Sequence, residues 1–162
     1  MNRKKVFSAF AVASLGLYIF VLYYILFAAS GRGMVVVSES MLENYNYWNS
    51  VNLVPFKTIM GYITAMVNGN MMGHAIRNLF GNLFLFFPMG FYLPFFVKKT
   101  EKIGIYSIII AAAIIAVEII QLATMCGSLD IDDFILNFAG ALIGLIVFTR
   151  TPLRGLFKLR AW

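Results

Sequence analysis

The chain is 162 residues long and nearly devoid of reactive side chains: Cys126 is its only thiol, His74 its only imidazole, and 12% of residues are charged. One cysteine cannot close an internal disulfide or supply a thiolate metal cluster, and Cys126 reads as a small apolar residue at the mouth of a turn. His74 lies in "NGNMMGHAIRN" with no Gly-flanked serine or paired thiol to activate, so it reads as an interfacial residue rather than a general base. HExxH and Gly-rich phosphate-loop patterns are also missing. Acids are scarcer than bases, seven against thirteen, giving a net charge of +6. Such a surplus suits nucleic acid when spread along one amphipathic face. Here it is gathered in three short clusters at the ends of apolar runs, which excludes a nucleic-acid partner and makes anionic lipid headgroups the expected neighbours.

Apolar residues are what the chain has in abundance. They make up 61% of it, with a mean hydropathy of +0.84, which places it among membrane proteins. Four stretches reach roughly the 20 residues needed to cross a hydrocarbon core: about 6–29, 79–97, 103–125 and 131–149. The expected fold is therefore all-α, a single polytopic domain over 1–162 with four transmembrane helices. The first run is too long for a secretory signal core and reads as an uncleaved anchor. Ten basic residues (Arg3, Lys4, Lys5, Lys98, Lys99, Lys102, Arg150, Arg154, Lys158 and Arg160) flank one side, against Arg32, Lys57 and Arg77 on the other. Positive flanks remain cytoplasmic, so both termini are expected inside and segment 30–78 outside. In that segment Tyr45, Tyr47 and Trp48 fit an aromatic belt, and Ile59, Ile63, Met66 and Val67 predict a short interfacial helix.

With this orientation the costly polar residues fall at one depth. Asn78 and Asn82 lie one turn apart at the outer end of the second span, with Gly81 beside them to admit a neighbouring helix. Glu118 and Gln121 share a face in the outer half of the third. Asp130, Asp132 and Asp133 stand at the mouth of the fourth, and Asn137 lies a turn below Asp133. A carboxylate on the lipid face costs several kcal/mol or more, so Glu118 should face the bundle interior, carry a proton or be paired, with Arg77 the expected partner. Pro88 and Pro94 should bend the second span.

These residues predict an outward-facing polar pocket made by Arg77, Asn78, Asn82, Glu118, Gln121, Asp130, Asp133 and Asn137. Amides and one guanidinium suit the phosphate or sugar hydroxyls of a lipid headgroup whose chain stays in the bilayer. No resident cofactor is expected, although Asp-Ile-Asp-Asp with a nearby asparagine offers hard oxygen ligands to a divalent cation. Two readings remain open: a membrane protein that binds a lipid-linked or lipidated molecule, and an intramembrane enzyme that modifies a polyprenyl or phospholipid headgroup with Glu118 as acid or base.

Four blocks carry a family resemblance: "NLVPFKTI" at Asn52 to Ile59, "NLFGNLFLFFPMGFYLP" at Asn78 to Pro94, "EIIQ" at Glu118 to Gln121, and "DIDDFILNFAGALIG" at Asp130 to Gly144. In this order they resemble the VanZ-like family. The resemblance implies a multi-pass protein of a bacterial cytoplasmic membrane linked to low-level resistance to lipoglycopeptides of the teicoplanin type. Its implied partners are membrane lipid and a lipid-linked cell-wall precursor or the lipidated drug itself. Many relatives carry an arginine just before the aspartate block, where this chain has Cys-Gly-Ser-Leu-Asp. Arg77 or Lys57 is then expected to supply the cation.

Overall fold

The computed structural model describes residues 3–28, 50–69 and 72–160. Helix α1, Arg3–Tyr23, runs on through a wider turn at Tyr24–Ala28. A two-residue strand β1 (Val51–Asn52) leads to α2 (Lys57–Val67), α3 (Met72–Leu85) and α4 (Met89–Phe96). A 3-10 turn at Lys98–Glu101 precedes α5 (Ile103–Ala123). Strand β2 (Leu129–Asp130), α6 (Ile131–Arg150) and a 3-10 helix at Pro152–Leu159 complete the described chain. Four segments are long and apolar enough to cross a membrane: Arg3–Ala28, Met72–Phe96, Ile103–Ala123 and Ile131–Arg150. The second begins seven residues earlier than its apolar run predicts, because Met72 to Asn78 continue the helix beyond the hydrocarbon stretch. The expected Tyr45, Tyr47 and Trp48 belt lies outside the described residues, whereas the short helix expected around Ile59 to Val67 is α2.

Helix α6 is the hub and packs against α3, α4 and α5. Glycine explains how closely it does so. A Cβ at Gly140 would collide with the Leu83 carbonyl, and one at Gly144 with the Phe87 carbonyl; one at Gly90 would strike the backbone of Gly144 and Leu145. Backbones in direct contact replace the hydrophobic driving force that lipid cannot provide. Gly81, which the sequence offers for such an approach, is exposed and would have nothing within 4 Å of an added Cβ. Close packing follows the Gly-x-x-x-Gly spacing of α6 instead.

The proline at 88 does more than bend its span. It removes the donor that would reach Phe84, and the backbone re-pairs in tighter turns: Phe87 N to Phe84 O at 3.3 Å, Met89 N to Phe86 O at 3.0 Å. The helix therefore separates into α3 and α4. The Leu85 carbonyl, passed over by this shift, accepts from the Tyr18 hydroxyl at 2.8 Å, which ties α1 to the break. Phe86, Tyr106, Ile110, Ile114, Ala141 and Leu145 form the main core, and the buried Tyr106 hydroxyl donates to the Ala141 carbonyl at 3.0 Å. A smaller cluster of Ala11, Phe95 and Phe157 joins α1, α4 and the C-terminal 3-10 helix. Both described ends of the chain and the 98–101 turn thus lie at one end of the bundle, and β1, β2 and α2 at the other.

Candidate functional site

The polar end is organised by a turn and a carboxylate. In Val54-Pro55-Phe56-Lys57 the Lys57 amide donates to the Val54 carbonyl at 3.4 Å, and Phe56 takes the left-handed conformation (φ 64). Proline second and a positive φ third is the type II pattern, normally completed by glycine. Phenylalanine tolerates it because the turn is held from outside. Asp132 Oδ1 accepts from the Phe56 amide at 2.5 Å, and Oδ2 from the amides of Thr58 at 2.7 Å and Ile59 at 3.0 Å. One fully buried carboxylate from the first turn of α6 thereby caps the start of α2, some 70 residues earlier in the chain.

Asp130 does the same service locally and at range. As N-cap of α6 its Oδ1 accepts from the Asp132 amide at 2.9 Å. The same oxygen accepts from Asn52 Nδ2 at 3.0 Å, and Oδ2 from the Thr58 hydroxyl at 2.7 Å. Asn52 and Asp130 are also partners in the parallel bridge between β1 and β2. Asn52, Thr58 and the backbone of the Pro55 turn are thus the residues that reading for charge alone overlooks; all fall within the "NLVPFKTI" block.

Asp133 faces the other way. Its Oδ1 accepts from Asn82 Nδ2, Asn82 donates to Asn78 Oδ1 at 3.3 Å, and Asn78 donates to the Tyr62 hydroxyl at 2.8 Å. This chain joins α6, α3 and α2. Burial pushes the Tyr62 hydroxyl above its ordinary pKa, and Asp133 and Asp130 add to the shift, so it remains protonated. His74 packs edge-on against Tyr62 with centroids 5.7 Å apart.

Glu118 faces inward, as the cost of exposure requires, and is 6% exposed. The expected ion pair with Arg77 does not form. Successive helical residues are about 100° apart around the axis, so an α3 that turns Asn78 and Asn82 toward α6 carries Arg77 away into solvent or headgroups. Lys57 is exposed as well, and the ion pairs among the described residues belong to Glu101 at the opposite end. Glu118 Oε2 instead accepts from the Asp130 amide at 3.3 Å. Gln121 turns to α1 and donates to the Leu26 carbonyl at 3.0 Å. Asn137, 3% exposed, keeps its Oδ1 without a hydrogen-bond donor.

Beside Glu118 and Asp130 an apolar crevice of about 120 Å³ opens between α5 and α6, walled by Ile115, Leu129, Ile131 and Phe134. Ile115 is 48% exposed, so the crevice gives onto the flank of the bundle where lipid would lie. Among the described residues no three of His, Cys, Asp and Glu converge as metal ligands: Asp130 and Asp132 both accept from Thr58, and Asp133 accepts from Asn82.

A family model, VanZ/LLP1, matches residues 15–155, from within α1 to within the C-terminal 3-10 helix. The chain belongs to the VanZ/LLP1 family. It is a multi-pass membrane protein by the four spans given above, and each of the four blocks of its resemblance contributes residues to the polar end. No curated protein and no solved structure matches this VanZ/LLP1 chain. Glu118, Asp130, Asp132 and Asp133 have amide and hydroxyl partners rather than a cation among the described residues.

Proposed function

We propose that this VanZ-like protein binds a lipid-linked or lipidated molecule at the outer leaflet of a bacterial cytoplasmic membrane and thereby contributes to lipoglycopeptide resistance. The observation that carries the reading is the crevice between α5 and α6, whose walls are hydrocarbon and whose inner edge is Glu118 and Asp130. Its volume of about 120 Å³ accepts a stretch of chain rather than a whole molecule, with the remainder in the bilayer. Its accessible lining is hydrocarbon, and Glu118 and Asp130 stand almost buried behind it with no cation beside them among the described residues, so the group they would accept from is a donor, a hydroxyl or an amine, rather than the phosphate that a guanidinium would have favoured. A lipid-tailed glycopeptide and a glycosylated polyprenyl precursor both present apolar chain and donors together. The buried and unpartnered Asn137 Oδ1 is a further acceptor in the same half of α6.

Glu118→Gln, with one oxygen replaced by a donor, is expected to abolish protection against a teicoplanin-type drug at unchanged protein level. Mass spectrometry of lipids extracted from the purified wild type should show a co-purifying amphiphile that the variant loses. Full protection by both Glu118→Gln and Asn137→Ala would remove this pocket as the active element.

A further inference from the structure

The opposite end of the bundle has a second, chemically different recess. A cleft of about 680 Å³ lies between the Lys98–Glu101 turn and the C-terminal 3-10 helix, with Lys98, Arg154, Lys158 and Arg160 on its walls. Glu101 is the one acid there among the described residues, and it is already taken: Arg160 Nη2 lies 2.6 Å and Arg154 Nη2 3.6 Å from its oxygens. Four cations around one engaged carboxylate leave a local positive surplus that favours an anion. Arg160 points to the same need from inside, since its Nε is buried and has no acceptor. Arg154 retains an exposed fork, its side chain 66% accessible.

Residue 159 faces the other way from its neighbours. While Lys158 and Arg160 line the basic cleft, Leu159 walls a groove of about 400 Å³ with Val6, Phe7 and Phe10 of α1, and Arg3 stands at its rim. A basic recess and an apolar groove separated by one turn of backbone have the shape of an amphiphile. We propose that this end binds an anionic phospholipid, its headgroup phosphate among Arg154, Lys158 and Arg160 and one acyl chain along Val6, Phe7 and Phe10. The lipid then adds to the contacts of Phe7, Ala11, Phe95 and Phe157 by which α1 already meets the C-terminal element. Lysine and arginine stems can lie along the chain while their heads meet the phosphate.

The test uses the full chain in detergent, titrated with phosphatidylglycerol and phosphatidylcholine of identical acyl chains and read by native mass spectrometry. Phosphatidylglycerol should bind at least about tenfold more tightly. Arg154→Ala with Lys158→Ala should lower that affinity by about tenfold, at roughly 1 kcal/mol per basic residue near an anionic surface less partial compensation by those that remain. The charge-conserving pair Arg154→Lys with Lys158→Arg should retain most of it, which separates charge from any general loss of structure. Phe10→Ser should weaken both lipids severalfold. Equal affinity for the two lipids, or an unchanged phosphatidylglycerol affinity in the double alanine variant, overturns the proposal. If inorganic phosphate alone displaces the lipid and Phe10→Ser has no effect, the cleft is a free-phosphate site and the acyl groove is no part of it.

Discussion

At the scale of single residues, position within the hydrogen-bond network separates side chains of the same type. Asp132 is fully buried and holds three backbone amides at the start of α2. Asp132→Ala would leave those donors without partners and release Phe56 from its left-handed turn, so a loss of about 2–4 kcal/mol is expected. Denaturant unfolding in micelles should show it, and hydrogen exchange should report early opening of residues 56–59. Asp132→Asn, which keeps one accepting oxygen, should fall between. Asn137 presents the opposite case. Its Oδ1 has no donor, so Asn137→Leu removes an unsatisfied buried acceptor at similar volume and should leave the unfolding temperature unchanged or raise it. Resistance should nevertheless fall if that oxygen serves a ligand. A variant both less stable and fully protective would show that Asn137 serves packing alone.

Among elements, the sequence was a good guide to what runs along one segment and a poor one to what crosses between segments. Long apolar runs declare spans because hydrocarbon thickness sets a one-dimensional threshold, and Pro88 announces a break because a missing N–H is a property of that residue alone. The cap on α2 could not be read in this way, since nothing around Lys57 indicates that its N-cap oxygen comes from Asp132. Arg77 misled for the related reason that proximity in sequence to Asn78 does not place two side chains on one helix face. Glycine shows the distinction most sharply. Gly81 and Gly140 look alike in composition, yet one meets open space and the other the Leu83 carbonyl. Gly140→Leu should force α3 from α6 at a cost on the order of 2 kcal/mol, with loss of cross-linking between cysteines placed at Leu83 and Ala141. Gly81→Ala should be neutral or add at most about 1 kcal/mol through helix propensity. Equal behaviour of the two in thermal unfolding would contradict the packing described for α6.

For the whole molecule, the decisive asymmetry is electrostatic. The end that carries Lys98, Lys99, Lys102, Arg154, Lys158 and Arg160 is also the end to which α1 brings Arg3, whereas the polar cluster at the other end is acidic. Short flanks with this excess of Lys and Arg stay in the cytoplasm, so the basic recess should open toward the inner leaflet and the Glu118 crevice toward the outer one. Accessibility can decide it. In a Cys126→Ser background, Asn68→Cys follows the exposed end of α2 and Lys99→Cys takes an exposed position of the 98–101 turn. A membrane-impermeant maleimide should label Asn68→Cys in intact cells and Lys99→Cys after permeabilisation. The reverse pattern would place the acidic cluster and its crevice in the inner leaflet, where no externally displayed drug or wall precursor could reach them. Because the two recesses differ in charge, inversion would also exchange the lipids each one meets, and the proposed outer-leaflet function would fail even with every contact in the bundle intact.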